Sequence, residues 1–337
     1  MKAVGYQKSL PIGHAQSLLD ITQDKPKPAG HDLLVQISAI SVNPVDTKVR
    51  MRAEAADGHY HVLGWDAAGT IVEKGADCSL FEIGDEVFYA GALNRPGTNS
   101  EFHLVDERIV GKKPQSISNA EAAALPLTSI TAWEVLFDRL DIEQSPAKTG
   151  SAILIIGGAG GVGSIAIQLA KALTGLTVVA TASRPETKAW VQSLGADHVI
   201  DHSTSLVAQW QELGIAAPDY IFSTTQTDKH YDDMAELIAP QGRIALIDDP
   251  DLIDIRKLKR KSVSIHWELM FTRSLFSTPD MIEQHHLLTK VAELVDKKLV
   301  RTTLAEHFGK INATNVKRAH SLLESGKSKG KIVLEGF

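Results

Sequence analysis

The sequence predicts an α/β protein of two domains, one of them a doubly wound nucleotide-binding domain, and three observations lead there. The chain has 337 residues, more than the ~250 to 300 at which a single core stops growing. From Ser151 onward, apolar strand candidates alternate with helical segments, the pattern of a parallel sheet joined by right-handed crossovers. At the head of that alternation, Ala152 to Ile156 leads straight into Gly157-Gly158-Ala159-Gly160-Gly161-Val162-Gly163.

The elements follow in order. Up to about residue 120 the chain reads as β structure, short apolar or alternating runs broken by Gly, Pro and Asp. Leu33 to Ile37, Gly69 to Glu73 and Asp85 to Tyr89 are the clearest strands. The texture changes near Ala120: a capped helix start lies at Asn119 to Ala124, and a second helical stretch of about Ile130 to Asp138 follows Pro126. Next come strand 152–156, helix 161–173, strand 177–180, helix 185–194 and strand 199–200, with further strands at Tyr220 to Ser223 and Arg243 to Ile247. Helical periodicity returns over about 280–297 and 313–325, before a last strand at Lys331 to Leu334.

Bulk composition narrows the function classes. Apolar residues make up 43% and charged residues 23% of the chain, an ordinary globular balance, and no apolar run is long enough to span a bilayer. The N-terminal Met1 to Tyr6 reads into a strand and lacks a signal-peptide apolar core, so a cytoplasmic protein with no membrane partner is expected. A net charge of -6 with no clustered Lys/Arg face gives no electrostatic reason for a nucleic-acid partner. The single cysteine, Cys78, excludes an intrachain disulfide and any zinc site built from several cysteines.

The glycine turn carries the chemistry. Gly158, Gly160 and Gly163 satisfy G-x-G-x-x-G between a strand and a helix: the first permits the tight turn, the second lets backbone approach a pyrophosphate, and the third lets the helix pack close. The backbone of Gly161 and Val162 then opens a helix whose free N–H groups favour phosphate. An NAD site would offer a carboxylate at the tip of the second strand, but this one ends in Ser183-Arg184 with Lys188 one turn on, a set suited to the 2′-phosphate of NADPH. The other reading leaves Arg184 as a solvated charge and gives the ribose to Glu186.

With Asn43-Pro44-Val45-Asp46-Thr47-Lys48, Gly64-Trp65-Asp66-Ala67-Ala68-Gly69, Gly84-Asp85-Glu86-Val87 and the Gly158-to-Gly163 turn in this order, the chain resembles the medium-chain dehydrogenase/reductases over nearly its whole length. It is most similar to quinone oxidoreductases and to the zinc-type alcohol dehydrogenase-like group, a likeness shared by Ala123 to Trp133 and His266-Trp267-Glu268. The resemblance implies a GroES-like β-barrel catalytic domain (1–125 and 270–337), a Rossmann NADP-binding domain (126–269) and a homodimer. In zinc-dependent relatives a Cys matches Asn43 and a His-Glu pair matches Trp65 and Asp66, so the resemblance implies that the ligands are lost. His59 and His61, or His285 and His286, offer two histidines without a third ligand.

The same resemblance implies the remaining roles. Asn43 is expected beside the nicotinamide ribose and substrate, and Thr128 and Thr131, three apart on one helix face, at the nicotinamide end, unless they back-bond to their own carbonyls. Lys48 is a candidate donor to the developing oxyanion or a surface charge. Trp65, Met270 and Phe271 line an apolar substrate pocket or pack the core. Lys331 is expected near the cofactor phosphates or the substrate. Without a Lewis acid, alcohol oxidation loses its alkoxide stabiliser, whereas conjugate reduction needs only hydride, a shaped site and a donor. The expected function is therefore zinc-independent, NADPH-dependent reduction of quinones or α,β-unsaturated carbonyls. A zinc-type alcohol dehydrogenase and a non-catalytic NADPH-binding redox sensor are the alternatives.

Overall fold

A computed structural model describes residues 1–147 and 150–337. The chain divides into two compact units, Met1–Ile130 with Phe271–Phe337, and Thr131–Met270. The first unit opens with β1 (Lys2–Tyr6), β2 (Leu19–Thr22), β3 (Asp32–Val42), α1 (Pro44–Arg52), β4 (His61–Val62), β5 (Ala67–Lys74), β6 (Glu86–Tyr89), β7 (Phe102–Asp106), β8 (Val110–Lys112) and α2 (Asn119–Ala123). Helix α3 (Pro126–Trp133) follows, and its last turn passes into a π-helical stretch, Glu134–Arg139, where the sequence suggests continuous helix.

The second unit holds β9 (Ala152–Ile156), α4 (Gly161–Leu173), β10 (Thr177–Thr181), α5 (Pro185–Ser193), β11 (His198–Ile200), α6 (Leu206–Leu213), β12 (Tyr220–Ser223), α7 (Thr227–Leu237), β13 (Arg243–Leu246) and β14 (Ser264–Trp267). The chain then returns to the first unit through α8 (Thr272–Phe276), α9 (Glu283–Asp296), β15 (Leu304–His307), α10 (Ala313–Glu324) and β16 (Lys331–Glu335).

In the first unit, seven strands run in the order β15-β16-β3-β5-β6-β8, with β7 also on β3. The eleven-residue β3 is the organiser: it pairs antiparallel with β16, β5 and β7, and bulges at Leu34/Val35 and Ile37/Ala39 let one strand serve several partners. Capping sets the helix starts. Ser118 and Glu121 reciprocate at the head of α2, with Ser118 N–H donating to Glu121 Oε2 at 2.9 Å and Glu121 N–H to Ser118 Oγ at 3.2 Å. The cap is thus Ser118, one residue before the expected start.

The second unit is a six-stranded parallel sheet, order β11-β10-β9-β12-β13-β14. Taken in chain order this is 3-2-1-4-5-6, the doubly wound arrangement, and the strand order reverses between β9 and β12. All five residues of β9 are buried, as a strand covered on both faces requires. Leu154, Ile156, Ile221, Ile244 and Leu246 form one apolar layer with Trp210, Tyr231 and Met234 from the helices. Ligands of such sheets bind outside the carboxyl ends of the strands at the reversal, and the glycine turn follows β9 there.

Burial also sets an acid limit. His320 on α10 is fully buried and, among the described residues, neither ring nitrogen has a partner. Burial, with a smaller push from the Arg50 guanidinium, takes its imidazole down to about 3. An unfolded histidine titrates near ~6.5, so the unfolded chain binds a proton that the folded chain refuses, and stability falls as pH drops below about 6.5. Urea titrations of the wild type and His320→Leu between about pH 7 and pH 4.5 should show a flatter acid-side loss in the variant; parallel profiles would refute the assignment.

Candidate functional site

In the first unit, four element starts meet at one buried carboxylate. Asp66, just before β5, has no exposed surface. Its Oδ2 accepts from Lys331 Nζ at 2.9 Å and from Asn43 Nδ2 at 2.8 Å, and its Oδ1 accepts from the Leu127 N–H at 2.8 Å. Leu127 lies in the first turn of α3, so the carboxylate also neutralises a helix N-terminus. Lys331 donates further to Asn43 Oδ1 and to the Val42 carbonyl. Burial raises the Asp66 carboxyl above its ordinary range, opposed first by the Lys331 ammonium and then by Asn43 and Leu127.

This arrangement fixes the Asn43 amide. Its oxygen meets a cation and its nitrogen an anion, so the amide has one stable orientation. The Asn43 N–H donates to Asp46 Oδ2 at 2.7 Å, reciprocating at the head of α1. Burial pushes the Asp46 carboxyl up to about 7, partly offset by that N–H and by Lys331. Asp46 thus holds a titrating group beside Asn43, a feature the sequence reading passes over. The expected placement of Lys331 at the cofactor phosphates is corrected here: the ammonium is buried and its three N–H groups go to Asp66, Asn43 and Val42, leaving no donor for a phosphate.

The other candidates of this unit are placed as follows. Lys48 is half-buried on α1. Thr128 back-bonds, its hydroxyl donating to the Leu125 carbonyl at 3.1 Å, the alternative considered for it. Trp65 and Phe271 do come together, edge to face with centroids 6.3 Å apart, but both are buried and the indole N–H donates to the Ala92 carbonyl at 3.2 Å. His61 stacks on Tyr6, and His285 sets Nδ1 2.7 Å from the Val110 carbonyl. Zinc does not fit the donor set: position 65 is an indole, position 43 an amide engaged on both sides, and the carboxylate at 66 already carries a lysine. Among the described residues, no group of three or more His, Cys, Asp or Glu is arranged to hold a metal ion.

In the second unit, Thr131 and Met270 are buried. The glycine turn is built from both sides. Gly157 has φ +77, and a Cβ on it would come within 2.4 Å of Thr224 Oγ1; one on Gly163 would come within 2.5 Å of the Gly157 carbonyl oxygen. Gly160 differs: its φ is -70 and a Cβ there would meet nothing closer than 3.4 Å. It is the N-cap of α4 and has no side chain to occupy the first-turn N–H groups. These features fit a pyrophosphate.

Beside the turn, Arg184 caps the start of α5 and pairs with Glu186 at 3.1 Å, an exposed and screened contact. Ser183 precedes it, half-buried. Lys188 reaches Asp201 at 2.9 Å, and Ser203 and Lys188 together hold the Asp201 carboxyl below the usual range. Thr181 and His202, missed in the sequence, also stand here: Gly157 N–H donates to Thr181 Oγ1 at 3.0 Å, and that hydroxyl lies 3.1 Å from His202 Nδ1. Both sit at carboxyl ends of strands, a position that could have flagged them. Five cations crowd Ile255–Lys261, contrary to the unclustered reading, yet Arg256 and Lys257 pair with Asp254 and Asp232, and Lys261 binds the Ala235, Glu236 and Ile238 carbonyls.

A phosphate-binding turn at the reversal of a doubly wound sheet, in a chain that also folds an antiparallel β unit, defines a two-domain protein of the dinucleotide-dependent class. Comparisons agree. The family described as Zinc-binding dehydrogenase matches residues 161–285, and that described as Alcohol dehydrogenase GroES-like domain matches residues 29–115. A zinc-type alcohol dehydrogenase-like protein of Staphylococcus aureus is 45% identical over 99% of both chains. A 2-methylene-furan-3-one reductase of Solanum lycopersicum is 40% identical over 51% of this chain and 45% of its own. Among solved structures, a Rhizobium etli protein provisionally called a zinc-dependent alcohol dehydrogenase superposes with TM-score 0.96 at 61% identity, covering 100% of this chain and 98% of its own. The quinone oxidoreductase of Coxiella burnetii superposes with TM-score 0.80 at 26% identity, covering 100% and 99%. The chain belongs to the medium-chain dehydrogenase/reductase superfamily and is an oxidoreductase, its first unit the GroES-like domain and its second the Rossmann domain.

The buried pair is testable by deletion. Lys331→Met leaves the Asp66 carboxylate without its cation and should cost about 3 to 5 kcal/mol in urea unfolding, whereas Lys331→Met with Asp66→Asn should recover much of that loss. A single variant within about 1 kcal/mol of wild type would show that the pair is not needed.

Proposed function

We propose that this oxidoreductase reduces quinones or α,β-unsaturated carbonyls with NADPH and without a metal. The observation that carries the reading is the donor set at positions 43, 65 and 66: an amide and a carboxylate consumed by Lys331, with an indole between them. That set offers nothing to polarise an alcohol, which favours a reduction that needs no Lewis acid. The names of two similar proteins, a furanone reductase and a quinone oxidoreductase, support the substrate class.

Bound nicotinamide supplies hydride from its C4. The residues of this chain do the rest. Backbone of Gly158 to Gly163 holds the pyrophosphate, and Ser183, Arg184 and Lys188 take the 2′-phosphate, where no carboxylate from the strand tip competes. Thr131 is the candidate for the nicotinamide end, since the Thr128 hydroxyl is spent on the Leu125 carbonyl. Asn43 acts through its locked orientation, and Lys48 is the candidate donor to the oxyanion that develops on the substrate. Trp65 and Phe271, which meet edge to face, are the candidates for an apolar wall beside the substrate, and Met270 is a further candidate. We place the enzyme in the cytoplasm, where a lone reduced cysteine is ordinary.

Chelator-treated protein should oxidise NADPH when given a 1,4-quinone or a small enone, and prefer NADPH to NADH. Arg184→Ala should lower that preference about 10- to 100-fold, the value of a charge-assisted hydrogen bond. If NADPH binds but is not consumed with either acceptor, the reductase reading fails and a redox sensor replaces it.

Homodimerisation has support at the sheet edge. Among the described residues β14 pairs only with β13, and Trp267 and Leu269 beside its open edge are about half exposed. Sedimentation should give a dimer for the wild type and monomer for Trp267→Glu; a monomeric wild type would refute it.

A further inference from the structure

At the adenosine end of the glycine turn stands a histidine to which none of the roles above is given. His202 follows β11, half-buried, with Nδ1 3.1 Å from Thr181 Oγ1. That hydroxyl already accepts the Gly157 N–H, the first N–H of the turn, at 3.0 Å. The Thr181 hydroxyl keeps one proton and a second lone pair, so it meets Nδ1 as donor or as acceptor according to the ring's tautomer. Nδ1 is engaged in either tautomer, and Nε2 is the edge for which no protein partner is present among the described residues. Thr181 is fully buried and its own carbonyl accepts from the Gly158 N–H at 3.1 Å, so the ring's position is tied to that of the turn.

The surroundings are cationic. Arg184 and Lys188 act on His202 from α5, and Lys229 and the ring of His230, 6.2 Å away edge to face, act from α7. Asp201 precedes it and is engaged by Lys188 and Ser203; Asp233 and Asp248 act on His230 from the far side. Partial burial lowers the His202 imidazole from its ordinary value, Asp201 pulls the other way, and Lys229, Lys188 and Arg184 add to the lowering. A doubly charged phosphate among them would reverse that balance.

Resting on the NADPH reading above, we infer that His202 is a cofactor-selecting residue that recognises the 2′-phosphate through Nε2 and takes up a proton when that phosphate binds. The proton comes from solvent and leaves both ring nitrogens as donors; Thr181 Oγ1 then accepts from Nδ1 and keeps its bond from the Gly157 N–H. Selection against NADH would then strengthen as pH falls through the range in which the bound-state ring is charged. The 2′-phosphate itself loses charge near pH ~6 and binds as the more ionised form, so its own titration releases protons on binding. Net uptake can therefore be assigned to the protein.

The test uses 2′,5′-ADP and 5′-AMP as probes on the full-length protein, titrated calorimetrically between about pH 6 and pH 8 in two buffers of different ionisation enthalpy. The wild type should take up protons on binding 2′,5′-ADP and none on binding AMP. His202→Gln should abolish the uptake and weaken 2′,5′-ADP about 3- to 10-fold near pH ~6, with little change near pH ~8; its AMP affinity reports whether the turn is intact. Equal uptake in the variant, or no net uptake by the wild type, overturns the inference while a preference for 2′,5′-ADP leaves NADPH standing. If 2′,5′-ADP binds no tighter than AMP at any pH, the NADPH reading falls and takes this inference with it. Should the variant lose AMP as well, the wild-type buffer pair decides: net uptake supports the role, and its absence refutes it.

Discussion

The carboxylate of Asp66 is the constraint on which the first unit depends. A charge with no exposed surface is tolerated only when its lone pairs are filled and a counter-charge is near. Here the partners are an ammonium from the start of β16, an amide from the head of α1 and a backbone N–H from the first turn of α3. Three elements distant in sequence are thus held to the start of β5. The approach to Asp66 is equally determined. Gly64 has φ +114, a region closed to most side chains, and a Cβ there would come within 2.5 Å of Thr98 Oγ1, which itself donates to the Asp66 carbonyl at 3.2 Å. A buried ion pair of this kind contributes little net stability over an apolar substitute. What it supplies is orientation: the Asn43 amide cannot flip without placing its nitrogen on a cation and its oxygen on an anion.

Much of the fold was legible because its signals are local. The parallel strands are short fully apolar runs, the helices between them carry periodicity, and Gly and Pro mark the breaks, so the β9–α4–β10–α5–β11 succession could be read from one end to the other. Among the strands that escaped, β7, β14 and β15 are only partly buried and sit where packing against a neighbour, not composition, decides. The stretch 134–139 looked helical because it is; its wider π winding is a property of hydrogen-bond register that residue types do not announce.

The site divided along the same line. The glycine turn and the acid-free tip of β10 are contiguous in sequence, and both motifs were visible. The pairing of Asp66 with Lys331 joins positions 265 residues apart, and no periodicity reports that. A lysine heading an apolar strand looks like a phosphate ligand until the carboxylate that consumes it is known. Thr181 and His202 were hidden for a related reason. Each is unremarkable alone, and their meaning comes from β10 and β11 lying side by side, with Thr181 opposite Ile200.

The three motif glycines are glycine for different reasons, and the difference bears on what the turn is for. At Gly163 an added Cβ would strike the Gly157 carbonyl, and at Gly158 it would lie 2.9 Å from the Ala180 side chain. Both positions are explained by the protein's own packing, and they would be glycine in an empty scaffold. Gly160 is not. Its backbone conformation is open to any residue, the space around it accommodates a methyl group, and as an N-cap it forgoes the side-chain oxygen that Ser, Asp or Asn would give to the first turn of α4. Nothing inside the fold requires its bare backbone. The requirement must therefore come from something that approaches from outside and needs both the free N–H groups and the missing side chain, which is what a pyrophosphate at a helix N-terminus demands.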